Sequence, residues 1–215
     1  MARPRAPNYD DQRDAILSGA AELFARRGYL GTSMNDVADG CGLSKASLYH
    51  YYRDKDEVLA SIAERHVTRL VELVRSVESD ASLLPRNRLE VLITRFLIEY
   101  ADAQNSHRVL TQDVKYLPAD DRERILQLER AVVSGFANAI AIQRPDVLEA
   151  DLHKEVAMLL FGMLNWMFTW LQPDGRLSHA TIAPLVRDLF LNGLTGMAVQ
   201  KGQKQRRVKT ALAKA

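Results

Sequence analysis

Apolar residues along this chain recur mostly at three- and four-residue spacing, the period of a helix with one face in a core. Ile16, Ala20, Leu23 and Phe24 open the series, and "ARRGY" gives the first helix a cationic last turn followed by Gly28 as a left-handed stop. In "GTSMNDVADGCG", Ser33 stands as N-cap with Asp36 three residues on. Met34, Val37, Ala38 and Cys41 then face inward from a short second helix that ends near Gly40 to Gly42. Ser44 caps a third short helix, anchored by Leu48 and running to about Tyr51. Two short helices joined by a tight Gly-containing turn make a helix-turn-helix unit.

The next start signal is "RDKDEV", where Asp54 is the N-cap and Glu57 closes a capping box. The fourth helix runs to about Glu78, with Val58, Leu59, Ile62, Leu70, Leu73 and Val74 on or near its inner face. Leu89, Leu92, Ile93, Phe96, Leu97, Tyr100 and Ala101 mark a fifth helix. A short sixth helix follows around His107 to Leu117, and a seventh from about Ala119 to Gln143 is stopped by Pro145. Two long helices finish the chain. The first, about Asp151 to Leu171, is apolar on nearly every side and is expected to be buried on nearly every side. The second, about Ser178 to Gln200, carries a stripe from Ile182 through Leu185, Leu189 and Phe190 to Met197, and its Gly193 and Gly196 suit close packing. The expected fold is all-α, about nine helices. It divides into an N-terminal arm (1–8), a three-helix helix-turn-helix domain (9–56), a larger C-terminal helical domain (57–200) and a basic tail (201–215), with arm and tail read as flexible.

Composition agrees with this pattern: of 215 residues 47% are hydrophobic, with only 11 Gly and 7 Pro. The lone Cys41 rules out an intrachain disulfide and a thiolate zinc site. With no apolar leader in "MARPRAPNYDDQ", this points to the cytoplasm. The stretch Val156 to Leu171 falls short of the roughly 18 to 20 apolar residues of a membrane span, so no membrane partner is expected. Five dispersed histidines, no His-x-x-x-His and no phosphate or nucleophile loop predict neither catalysis, nor metal, nor cofactor. Net charge is +2, but residues 1–60, 61–200 and 201–215 contribute −1, −3 and +6. Any grip on nucleic acid must therefore come from local placement of cations.

The helix-turn-helix supplies that placement. Lys45 can reach a guanine edge or a phosphate, Ala46 a thymine methyl, and Ser47 can donate or accept, with Ser44 as cap. Tyr49, His50 and Tyr51 offer polar tips to the sugar-phosphate flanks, whereas Tyr52, beside the turn, is expected inside. Thr32, Ser33 and Lys55 lie at helix starts, where free N–H groups favour an anion. Arg3 and Arg5 could enter a minor groove, and the run Lys201, Lys204, Arg206, Arg207 and Lys209 allows a rival reading as a non-specific DNA or membrane-surface binder.

Residues 20–59, "AAELFARRGYLGTSMNDVADGCGLSKASLYHYYRDKDEVL", resemble the DNA-binding domain of the TetR/AcrR family of bacterial transcriptional regulators. The departures are small: Tyr52 stands where Phe is usual, and Asp39-Gly40-Cys41 where Ala-rich sequence is common. The resemblance implies a C-terminal ligand-binding and dimerisation domain, and a homodimer paired through the last two long helices. It also implies a palindromic double-stranded DNA operator, usually repressed, and release by a small hydrophobic effector.

The segment "FGMLNWMFTWLQPDGRLS" resembles a subset of that family that senses CoA thioesters, which implies an acyl- or aryl-CoA effector. Phe161, Asn165, Trp166 and Trp170, with Met163 and Phe168, then line an apolar cavity with one amide, joined by Phe96, Tyr100, Arg108 and Gln112. Plain core packing is the alternative for each Met or aromatic. The CoA phosphates would draw on Arg108, Lys115, Arg122, Arg124, Arg130 and Arg176. A drug-like ligand controlling efflux genes would use the same apolar wall without the cations.

Overall fold

Local start and stop signals set the first half of the fold. The computed structural model describes residues 9–171 and 177–199, and every regular element among them is helical. Helix α1 (Tyr9–Arg27) has Asp10 and Asp11 in its first turn and Arg26 and Arg27 in its last, matching the helix dipole, and Gly28 ends it at φ 78°. Helix α2 (Met34–Gly40) starts with the expected capping box: the Ser33 hydroxyl accepts from Asp36 N, and Ser33 N donates back to the Asp36 carboxylate at 2.8 Å. Gly42, at φ 66°, turns the chain into α3 (Lys45–Tyr49), capped by Ser44. Helix α4 (Lys55–Ser79) begins differently from the expected box. Asp54 accepts from Glu57 N, but the Glu57 carboxylate reaches the N–H of Arg53, one residue before the cap.

The remaining helices are α5 (Arg88–Asp102), α6 (Gln104–Asp113), α7 (Ala119–Gln143), α8 (Pro145–Glu149), α9 (His153–Trp166) and α10 (His179–Gly196), with single 3₁₀ turns before α5 and after α6 and α9. Pro145 does stop α7, yet it also occupies the first turn of α8, where its missing N–H costs nothing. That makes ten α-helices among the described residues where about nine are expected, because the proline both ends one helix and begins another.

Helix α7 is central. It packs on α4, α5, α8 and α9 with Phe136 and Ile140 fully buried. Among the described residues it is the one helix long and apolar enough to cross a membrane, but here its apolar face belongs to the core. Helix α6 lies across both α1 and α4, while α10 packs on α5. The carbonyls at the C-terminal end of α10 are held by a distant side chain: the Arg144 guanidinium donates to Leu194 O and to Met197 O (2.7 Å) while paired with Asp146.

The expectation that residues 151–171 are buried on nearly every side is overturned. Leu159 and Trp166 are each 67% exposed, and Met158 and Trp170 are exposed as well. Only Val156, Ala157, Leu160, Phe161 and Leu164 of α9 enter the core. Likewise Leu185 and Leu189 of α10 face outward, and among the described residues nothing lies within 4 Å of the Cβ positions of Gly162, Gly193 or Gly196.

At Gly135 the helix packing leaves least room for a side chain: a Cβ there would lie 2.2 Å from Cγ1 of the buried Val74, on the α4–α7 contact. Gly135→Ala gains up to about 1 kcal/mol of helix propensity but overpacks this contact at a cost of about 1–3 kcal/mol. Urea unfolding should show a net loss of stability, and a variant at least as stable as the parent would contradict this packing.

Candidate DNA-reading head and effector cavity

The reading head is built by one anchor and one cap. Leu48 is fully buried, so the opposite face of α3 presents Lys45, Ala46, Tyr49 and His50 to solvent, with Ser47 half-exposed. The Ser44 hydroxyl accepts from Ser47 N at 3.1 Å and lies 2.8 Å from the Ser47 hydroxyl, fixing the first turn. Tyr52 is buried as expected, its ring under the Arg13 guanidinium. Tyr51 is half-buried and stacked on Tyr9, with ring centroids 5.0 Å apart, so it braces the head against α1.

Two residues expected at phosphates are occupied within the domain. Thr32 is buried, and its hydroxyl donates to Gly28 O at 2.9 Å. Lys55 donates to Tyr29 O and Thr32 O, both at 2.9 Å, with its ammonium 4.2 Å above the Tyr29 ring. Thr32 therefore closes the α1–α2 turn on itself, and Lys55 fastens that turn to the start of α4. Ser33 stays exposed, though its hydroxyl caps α2. Tyr29 continues the junction: its hydroxyl donates to Asp56, and its ring stacks on Tyr116, 5.8 Å away, in the turn after α6. Burial first, and then Asp56, push the Tyr29 pKa up.

A cavity of about 480 Å³ opens between α4, α5, α6, α7 and α9. Val67, Leu70, Leu110, Leu126, Val132, Val133, Met158 and Phe161 form its apolar wall, and Tyr100, His107, Thr111, Glu129, Ser134 and Asn165 supply polar groups. Exposed Arg130 and Lys154 mark its opening. Of the expected ligand residues, Tyr100, Phe161 and Asn165 line it, and the Tyr100 hydroxyl donates to Asn165 Oδ1 at 3.2 Å.

The others do not line it. Phe96 is fully buried behind the wall, edge-on to Phe136 at 4.7 Å. Arg108 and Gln112 are exposed on α6, one bonded to the other at 3.4 Å. Trp166 and Trp170 point away from the cavity into solvent. Of the expected phosphate cations only Arg130 reaches the lining, while Arg124 pairs with Asp121 and Glu64. Arg176, the arm with Arg3 and Arg5, and the tail cations Lys201, Lys204, Arg206, Arg207 and Lys209 lie outside the described residues.

Sequence reasoning missed a polar stack beneath the cavity. His66 Nε2 of α4 and His107 Nδ1 of α6 are 3.3 Å apart, and Tyr100 of α5 stacks on His107 with centroids 3.7 Å apart. Burial lowers His66 to about 4 and His107 to about 3, so both imidazoles are neutral at pH 7. Since Tyr100 in turn bonds Asn165 of α9, one polar chain joins α4, α6, α5 and α9. The signal was legible: His66 is four residues from both Ile62 and Leu70, on the inner face of its helix.

Residues 16–62 match the family described as "Bacterial regulatory proteins, tetR family", and residues 82–194 match "Tetracyclin repressor-like, C-terminal domain". The chain belongs to the TetR family. It is a ligand-responsive, DNA-binding transcriptional regulator. Among TetR-family relatives, the HTH-type transcriptional repressor KstR2 of Rhodococcus jostii is 29% identical, over 85% of this chain and 91% of its own length. A TetR-family regulator from Bordetella parapertussis superposes with TM-score 0.79 at 34% identity, covering 89% of this chain and all of its own. The structure of AibR in complex with isovaleryl coenzyme A and operator DNA matches with TM-score 0.71 at 27% identity, over 83% of this chain and 97% of that one.

The buried histidines of this TetR-family protein set a pH dependence. Below the ordinary value of 6.5 the unfolded chain takes up protons that the fold refuses, so the stability from keeping both rings neutral is complete above pH 6.5. It is lost as pH falls toward 4 and then 3, by up to about 1.4 kcal/mol per pH unit for each ring. Denaturant unfolding at pH 7 and pH 5 should show a smaller difference for His107→Asn than for the parent, and parallel losses would refute it.

Proposed function

We propose that the protein is a homodimeric repressor that binds a palindromic operator through residues 9–56 and releases it when a CoA thioester enters the cavity of residues 57–200. The observation that carries this reading is the sharing of helices: α4 and α6 line the cavity, and both pack on α1 of the reading domain. At the reading head the base-edge roles fall to Lys45, Ala46 and Ser47. Ser33, Ser44, Tyr49 and His50 flank them toward phosphates, while Thr32, Tyr51 and Lys55 position the head. Effector binding against His107 and Thr111 moves α6, and the Tyr116–Tyr29 stack and the His66–His107 bond pass that shift to α4 and so to the spacing of the two heads.

The outward apolar faces support the dimer. Leu159, Gly162 and Trp166 on α9 and Leu185, Leu189, Gly193 and Gly196 on α10 form helix-spaced stripes of large and absent side chains. Such stripes suit an isologous four-helix contact in which Leu side chains enter glycine notches. The CoA class is supported by exposed Lys154 beside an apolar cavity, and by the CoA ester bound in the AibR structure.

Lys45→Ala should weaken operator binding by about 1–3 kcal/mol in anisotropy titrations at fixed salt, with a much smaller change on unrelated duplex DNA. Equal losses on both duplexes would make Lys45 a phosphate contact. For the effector, short-chain acyl-CoA and aryl-CoA thioesters should release the operator and bind at least about tenfold tighter than the free acids in calorimetry. Equal binding of acid and thioester would refute the CoA reading.

A further inference from the structure

Glu129 is the one acidic side chain lining the cavity, and its place in α7 is an inward one. Ile125, Val132 and Phe136 precede and follow it by four, three and seven residues, and all three are buried. Yet the carboxylate has no hydrogen-bond or ion-pair partner among the described residues. Its neighbour Arg130 is committed to Glu123 at 2.8 Å. Burial alone pushes the Glu129 pKa above the usual carboxylate range.

A partnerless carboxylate in such a place works against a plain hydrocarbon ligand. Filling the cavity with methylenes would strip the remaining water from Glu129 and leave an unpaired acceptor facing alkane, which is costly. Ionised it can only accept, and when burial keeps it protonated its carbonyl oxygen still accepts, so in either state it offers a hydroxyl an acceptor. The group that relieves it must therefore donate. Lys154, lining the same cavity, already brings a cation to it, so a neutral donor fits better than a second ammonium. The rest of the polar lining suits a hydroxylated acyl group as well. The Tyr100 hydroxyl already donates to Asn165 Oδ1, which leaves the Asn165 amide N–H groups as donors for a carbonyl on the same ligand.

From this geometry we infer that Glu129 is a specificity-determining residue: it selects effectors whose buried acyl or aryl part carries a hydroxyl, over the same skeleton without one. The inference rests on the cavity being the effector site, as assigned above, but not on CoA being the carrier.

The test is a matched set of ligands: octanoyl-CoA beside its 3-, 5- and 8-hydroxy isomers, and the corresponding methyl esters. Binding is measured by calorimetry to the full chain and to Glu129→Leu and Glu129→Gln, with circular dichroism to confirm that each variant is folded. At least one hydroxy isomer should bind the parent at least about tenfold tighter than the unsubstituted chain. Glu129→Leu should abolish or reverse that preference, and Glu129→Gln, which keeps an acceptor oxygen, should retain part of it. No hydroxyl preference in either ligand series, or a preference that survives in Glu129→Leu, overturns the inference. If Glu129→Leu fails to fold, the same decision falls to the parent and to Glu129→Gln, in which an undiminished preference is the overturning result. Should the methyl esters show the preference while no CoA thioester binds, the CoA reading falls and the role of Glu129 stands.

Discussion

The packing of α4 constrains everything else in this structure. One helix of 25 residues has its first turn inside the reading domain and its middle against the cavity, and it is buried along its length from Val58 to Val77. At its start Lys55 donates to the backbone of Tyr29 and Thr32, and at its middle His66 meets His107. A helix pinned at both places behaves as a rigid lever, because packed interiors deform little and shift between discrete arrangements. A change at the cavity therefore cannot be absorbed locally without disturbing the turn that holds α2 and α3.

The polar stack beneath the cavity fixes how such a change is read. Two neutral imidazoles 3.3 Å apart share one proton between facing nitrogens, and that bond depends on the position of α6 relative to α4. A hundredfold change in operator affinity needs only about 2.7 kcal/mol of coupling, comparable to losing one or two buried polar contacts of this kind. The Arg69–Glu99 pair at 2.8 Å ties α5 to α4 independently, so both α5 and α6 are joined to this helix by polar contacts.

Much of this was legible in the sequence, and what was not has a common cause. Caps and stops depend on neighbours within four residues, so Ser33, Gly28, Gly42, Ser44 and Asp54 were readable, and with them the solvent-facing side of α3. The misplaced residues depend on partners far along the chain. Lys55 looked like a free cation at a helix start because its acceptors, Tyr29 and Thr32, lie more than 20 residues away. The resemblance of residues 161–178 to CoA-sensing regulators, with the apolar rings it brings, suggests Trp166 and Trp170 as cavity wall, whereas the phase of α9 turns Phe161 and Asn165 inward and Trp166 out. Glu129 stood in plain view as a charge within an apolar stripe, and only the cavity beside it gives that charge a purpose.

Helix α9 adds a second constraint that neither half of the molecule shows alone. Its inner side supplies Met158, Phe161 and Asn165 to the cavity, and its outer side carries Leu159, Gly162 and Trp166 into the proposed dimer contact. At 14 residues it is too short to bend between these roles, so a ligand that displaces Asn165 also tilts the outer face. In a two-fold dimer each tilt is doubled across the axis, and the separation of the reading heads depends on both protomers at once. In the proposed dimer, occupancy of one cavity would therefore bear on the contact made by both copies of α9.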